Sequence, residues 1–202
     1  MKTLSTVFIA ISVIFGAIAL VLSCVGIGTP NWQTTYAILN GQTQPVRTAN
    51  FFYSCVFYPN GTRIGCTSRI SDRNIGQYYP IDARGDQTEW NQHLDNAAGL
   101  CIVGIIFIFF GTVATLLMLP ANWALWIYWI GPTCYFLACL FMLAGMSEGA
   151  YVLYYNDYAA NLYQTGHLLT IFSFAMSSVA AGHLYTLPEM LNFEIPQREQ
   201  YK

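Results

Sequence analysis

The stretch NFFYSCVFYPNGTRIGCTSR, residues 50–69, decides the fold. Asn60-Gly61 stands between runs rich in Phe, Tyr, Val and Ile, the strongest short-range signal for a β-hairpin, because a type I′ turn needs positive φ at both central positions. With those two residues as the loop, Tyr58 faces Arg63, Phe57 faces Ile64, Val56 faces Gly65, and Cys55 faces Cys66. Opposed Cα atoms of an antiparallel pair lie about 4.5–5.5 Å apart, within the reach of a disulfide. Pro59 has no N–H to give Thr62, so a longer loop with the same register serves equally well. Asn60-Gly61-Thr62 is also the only N-glycosylation sequon in the chain, which places Asn60 on an exposed turn if that turn lies outside the cell.

Around this hairpin the sequence reads as membrane. Of 202 residues, 55% are hydrophobic and only 9% charged, against roughly 25% charged in soluble domains. A helix crossing the hydrocarbon needs about 20 mostly apolar residues. Four segments free of charge meet that need: 5–28, 97–119, 123–146 and 168–187. They leave one integral membrane domain, with a long connection at 33–95, a short one at 147–167 and a tail at 188–202. The first segment is too long for a signal-peptide core and reads as a retained anchor. NWQTTYAIL (31–39), PVRTANFF (45–52) and QYYPID (77–82) supply candidates for further strands. The expected fold is an all-α transmembrane four-helix bundle with a small extracellular antiparallel β-sheet, the Cys55–Cys66 bond compensating for a sheet with little core of its own.

Lys and Arg in short flanks set orientation. Lys2 precedes the first span, Arg198 and Lys202 follow the fourth, and the short segment between spans three and four has no basic residue. Both termini are therefore expected in the cytoplasm, at the plasma membrane, with 33–95 and 147–167 outside. The five arginines of the long first connection are matched by five acids and the net charge is −2, so no basic stripe points to nucleic acid.

Inside the spans, Ser173, Ser177 and Ala181 recur every fourth position, as do Ser178 and Gly182, and small-xxx-small rows let helices approach closely. Trp123, Trp126 and Trp129 read as an interfacial belt, and Pro132 predicts a kink about two turns into span three. No ionisable residue sits mid-span, which argues against a pump or an ion-coupled transporter. Cys24, Cys101, Cys134 and Cys139 lie in apolar runs, and neither they nor His93, His167 and His183 show metal-ligand spacing; no metal or cofactor is implied. GMSEG at 145–149 fits the G-x-S-x-G pattern, and Asp157 and His167 follow Ser147 in the chain order of α/β-hydrolases. That chemistry requires a strand-to-helix turn, whereas these residues lie where an apolar helix leaves the membrane, so a membrane serine hydrolase is a distant alternative and no catalytic residue is assigned.

Taken together, the four spans, Trp32 just past the first of them and the Cys55/Cys66 pair resemble the claudin and peripheral-myelin-protein superfamily, with its clarins and channel gamma-subunits, whose signature is W…GLW…C…C. Trp32, Phe52, Cys55 and Cys66 stand at the motif positions, with Asn50-Phe51-Phe52 in place of Gly-Leu-Trp. Ala98 stands where the family carries an arginine, Thr67 follows the second cysteine, and the chain ends Gln200-Tyr201-Lys202 rather than in an apolar dipeptide. The resemblance implies a structural protein of cell contacts or junctions, with itself or related four-span proteins as partners in the same or the apposed membrane. The alternative it implies is an auxiliary regulatory subunit of an ion channel or receptor.

Overall fold

A computed structural model describes residues 2–39, 41–58, 62–69, 87–119 and 125–199. Four helices, α1 (Lys2–Gly28), α2 (Gln87–Leu116), α3 (Ile130–Val152) and α4 (Tyr158–Glu199), form the bundle. Four strands, β1 (Gln33–Leu39), β2 (Gln42–Ala49), β3 (Tyr53–Phe57) and β4 (Arg63–Ser68), lie between α1 and α2 in one antiparallel sheet of order β1-β2-β3-β4. All four helices contain stretches long and apolar enough to cross a membrane.

What binds the helices is the spacing of their inward residues. Along α1 the buried positions Ser5, Ile9, Ser12, Gly16, Ala19, Ser23 and Gly26 follow alternating steps of four and three, with Ile27 buried beside the last of them. On α4 Tyr163, Gly166, Thr170, Ser173 and Ser177 repeat that rhythm, and on α2 Leu94, Ala97, Cys101, Gly104, Ile108, Gly111 and Thr115 do so. A period of 3.5 keeps one seam facing its neighbour along a left-handed bundle. Small residues on these seams bring backbones together: a Cβ on Gly26 would lie 2.8 Å from Tyr163 N and 2.9 Å from Ala159 O. The outward positions, such as Val7, Ile14, Ile18, Val21 and Val25, are large and exposed, as suits a surface solvated by lipid.

At mid-bundle the seams carry hydroxyls. Ser12 Oγ donates to Ser173 O at 2.9 Å, and the fully buried Tyr135 donates through its OH to Thr112 Oγ1 at 3.0 Å. Pro132 lies in the first turn of α3, after a 3₁₀ segment at Leu125–Trp129. Its missing N–H falls where no intrahelical bond exists to be lost, so the expected mid-helix kink has no cause there.

The hairpin forms with Cys55 opposite Cys66 and Val56 opposite Gly65, and the two sulfurs are bonded. Above that pair the ladder slips by one residue. Phe57 faces Arg63 instead of Ile64, and Tyr58 N donates to Thr62 O at 2.8 Å. Ile64 becomes the extra residue and is half-exposed. The register expected for either loop length, with Phe57 facing Ile64 and Tyr58 facing Arg63, therefore holds only up to Val56/Gly65, and a bulge at Ile64 shifts the end of the hairpin by one residue. Residues 59–61, the sequon Asn60 among them, and the candidate strand at 77–82 lie outside the described residues.

The helices outrun the apolar stretches that reveal them. α2 begins at Gln87, well before Ala97, and between α3 and α4 only 153–157 are not helical. Apolarity marks the hydrocarbon-facing part of a helix, while its hydrogen-bonded backbone runs on into polar residues at no cost.

Candidate functional site: the junction of sheet and bundle

The sheet is joined to the bundle by side chains on the short segments between regular elements. Trp32, in the turn after α1, is 1% exposed. Its Nε1 donates to Gly26 O at 2.6 Å, a carbonyl in the last turn of α1 whose backbone partner, Thr29 N, lies at 3.4 Å. Its ring stands 4.6 Å from Phe51, 5.3 Å from Tyr155 and 5.3 Å from Tyr163, centroid to centroid. Those partners come from the β2–β3 turn, the α3–α4 connection and α4, so one side chain gathers three distant parts of the chain. Tyr155 OH donates to Met146 O at 2.6 Å and Tyr163 OH to Cys101 O at 3.3 Å, which leaves the hub's polar tips satisfied.

Asn50 supplies the polar half of the junction. It is fully buried, and its Nδ2 donates to Ile27 O at 3.2 Å and Thr29 O at 3.0 Å. Its Oδ1 accepts from Phe52 N at 2.8 Å and Tyr53 N at 2.7 Å. A single amide thus bonds the end of α1 to the start of β3, using both donors and both lone pairs.

On the other side, the α3–α4 connection grips β1. Asn156 accepts from Thr34 N at 2.9 Å through Oδ1 and donates to Thr34 O at 3.0 Å through Nδ2, taking the place of a neighbouring strand at the sheet edge. Asp157 Oδ1 accepts from Tyr158 N at 2.7 Å, one of the N–H groups that the first turn of α4 leaves without an intrahelical partner. Its Oδ2 accepts from Thr34 Oγ1 and from Asn31 Nδ2, the latter at 3.3 Å. Between α2 and α3, His93 Nδ1 meets Glu148 Oε2 at 2.5 Å, and the His93 ring lies 4.2 Å from Tyr151.

These placements bear on the residues singled out from sequence. Phe51 is the ring that packs against Trp32 at a tilt, while Phe52 is half-buried against the same core. Ser173, Ser177 and Ala181 face into the bundle; Ser178 and Gly182 sit half-buried beside them, and Ser178 Oγ donates to Phe174 O at 2.8 Å. Ser147 lies inside α3 rather than on a strand-to-helix turn. Asp157 is engaged with Thr34, Asn31 and the start of α4, and His167 Nε2 meets Cys139 O at 3.3 Å. Among the described residues no hydrogen bond links Ser147, Asp157 and His167 into a relay, and no group of three or more His, Cys, Asp or Glu residues could hold a metal.

No family model and no curated protein matches this chain. Its likeness to claudins therefore rests on architecture: four apolar helices, with a small disulfide-bonded antiparallel sheet in the first long connection. Asn50 and Asn156 had no mark in the sequence as junction residues. An Asn beside aromatics looks like any turn former, and only the two carbonyls it meets in space give it its role.

Proposed function

We propose that the protein is a claudin-like structural membrane protein that organises cell–cell contacts at the plasma membrane, with both termini cytoplasmic and the sheet outside. In this reading it associates laterally through its spans and across the gap through its sheet, with itself or with related four-span proteins as partners. The observation that carries the proposal is the junction: a sheet tied to the bundle at Trp32, Asn50 and Asn156 is a fixed handle rather than a tethered loop. On that handle Tyr36, Ile38, Tyr53, Tyr58 and Ile64 stand 46–77% exposed. Aromatic and aliphatic side chains held open on a rigid support suit protein contacts, and the orientation follows the placement of Lys2, Arg198 and Lys202.

Mixed cultures test it. Cells carrying tagged protein are grown beside cells carrying an untagged copy or none, and the tag is imaged along shared borders. Enrichment only where both neighbours express the protein is the expected result. Uniform surface distribution in both pairings would remove the contact role and leave an auxiliary subunit acting within one membrane.

A further inference from the structure

His167 is the last polar residue before the apolar stretch 168–187, and Asn161, Gln164 and His167, spaced three apart, run down one side of α4 toward that stretch. Its Nε2 meets Cys139 O on α3 at 3.3 Å. A carbonyl only accepts, so in the neutral imidazole Nε2 carries the proton and Nδ1 is left as a bare acceptor. Among the described residues nothing donates to Nδ1. The ring is half-buried rather than sealed in the bundle, and an acceptor facing hydrocarbon without a donor is costly.

The cleft beside it is open. α3 and α4 each lean on another helix: a Cβ on Gly145 would lie 2.9 Å from Cys101 N on α2, and one on Gly166 would lie 3.0 Å from Ala19 O on α1. Across from one another, α3 and α4 meet through long side chains instead, the Phe136 and Phe174 rings standing 5.8 Å apart at a tilt. Steps of three and four carry Leu140 and Leu143 onto the side of α3 that holds Phe136, and Ile171 onto the side of α4 that holds His167 and Phe174. Phe136, Leu140, Leu143 and Ile171 are 42–56% exposed, which leaves this wall to lipid. No charged residue occurs in 130–147 or 158–188, so neither helix offers a partner to the charged headgroup of a phospholipid.

We propose that the cleft between α3 and α4 binds a sterol in the sheet-side leaflet, its hydroxyl donating to His167 Nδ1 and its fused rings lying along Phe136, Leu140 and Ile171. The match is one of inventory: an unpaired acceptor where the apolar stretch begins, no charge, and a wall of branched and aromatic side chains below. A rigid ring system covers such a wall without the ordering cost of a flexible acyl chain.

The test uses the full-length protein in phosphatidylcholine nanodiscs and a photoreactive cholesterol analogue with a diazirine in its rings and the 3-hydroxyl intact. Labelling, mapped by mass spectrometry, should fall on 136–143 and 167–174. Unlabelled cholesterol should compete at a mole fraction about three- to tenfold lower than cholesteryl methyl ether, which keeps the rings and the oxygen but cannot donate, as the loss of one hydrogen bond implies. His167→Phe, which keeps a ring at the position, should bring the two competitors level. Equal competition by both sterols in the wild type, labelling confined to other segments, or unchanged discrimination in His167→Phe would overturn the proposal. So would a diacylglycerol competing as well as cholesterol, which would open the cleft to any hydroxylated lipid, or a sterol-free dimer that His167→Phe abolishes, which would assign the cleft to a second copy of the chain.

Discussion

Replacing Trp32 by alanine should lower the melting temperature of the detergent-solubilised protein by roughly 6–20 °C, the equivalent of about 3–5 kcal/mol for truncating a fully buried tryptophan. Two losses add. The cavity left by the indole removes the common neighbour of Phe51, Tyr155 and Tyr163, and none of those rings can close it without leaving its own element. The carbonyl of Gly26 also loses its 2.6 Å donor. Trp32→Phe separates the terms, since it keeps most of the ring and removes only the N–H; its cost should be about 1–3 kcal/mol. A Trp32→Ala protein melting within a degree or two of wild type would show that the aromatic hub does not hold the sheet.

Asn50 should be nearly as sensitive, for electrostatic rather than packing reasons. Asn50→Ala strands two carbonyls, of Ile27 and Thr29, and two N–H groups, of Phe52 and Tyr53, in a fully buried place. Each buried polar group without a partner costs about 1–3 kcal/mol, and relaxation or water entry will recover some of them, so a net loss of roughly 3–5 kcal/mol is expected. Asn50→Asp keeps the two acceptor contacts and turns a carboxylate toward two carbonyl oxygens. It should be no better than alanine at neutral pH and should recover in acid, when the protonated carboxyl can again donate. Thermal melts at pH 7 and pH 4.5, normalised to wild type at each pH, read this directly. An Asn50→Asp protein equal to wild type at pH 7 would mean that the donors to Ile27 and Thr29 contribute nothing.

How far the sequence foretold this architecture depends on which physical signal each part leaves in it. The spans announce themselves because lipid demands apolar surface, and the Cys55/Cys66 pairing follows from counting outward from Asn60-Gly61. The bundle seams were partly visible. Ser173, Ser177 and Ala181 lie on the buried face, but a strict four-residue step drifts off a helix face, and the actual seam alternates fours and threes through Gly166, Thr170, Ser173, Ser177 and Ala180. Hydrophobic periodicity gives no help in a membrane, since both faces of a span are apolar; the small and hydroxylated residues carry the pattern instead.

The junction was the least legible part. Trp32 is conspicuous as a lone tryptophan after a span, yet its three ring partners are dispersed from Phe51 to Tyr163. Pro59, with no N–H to give a ladder, argued for a longer loop, but nothing in the sequence marked Ile64 as the residue at which the register slips. Asn156 pairing with the backbone of Thr34 leaves no trace in local pattern, because its significance is a contact across more than a hundred residues.

The central claim is that sheet and bundle form one mechanical unit, and hydrogen exchange of the intact protein in nanodiscs, resolved by peptide, tests it most directly. Amides of β2 and β3, at 47–49 and 53–56, should be protected to a degree comparable with the sheet-side end of α1, and Trp32→Ala should release both together. Strands that exchange freely while the end of α1 stays protected, in the wild type, would contradict the claim and reduce the sheet to a loop on a tether.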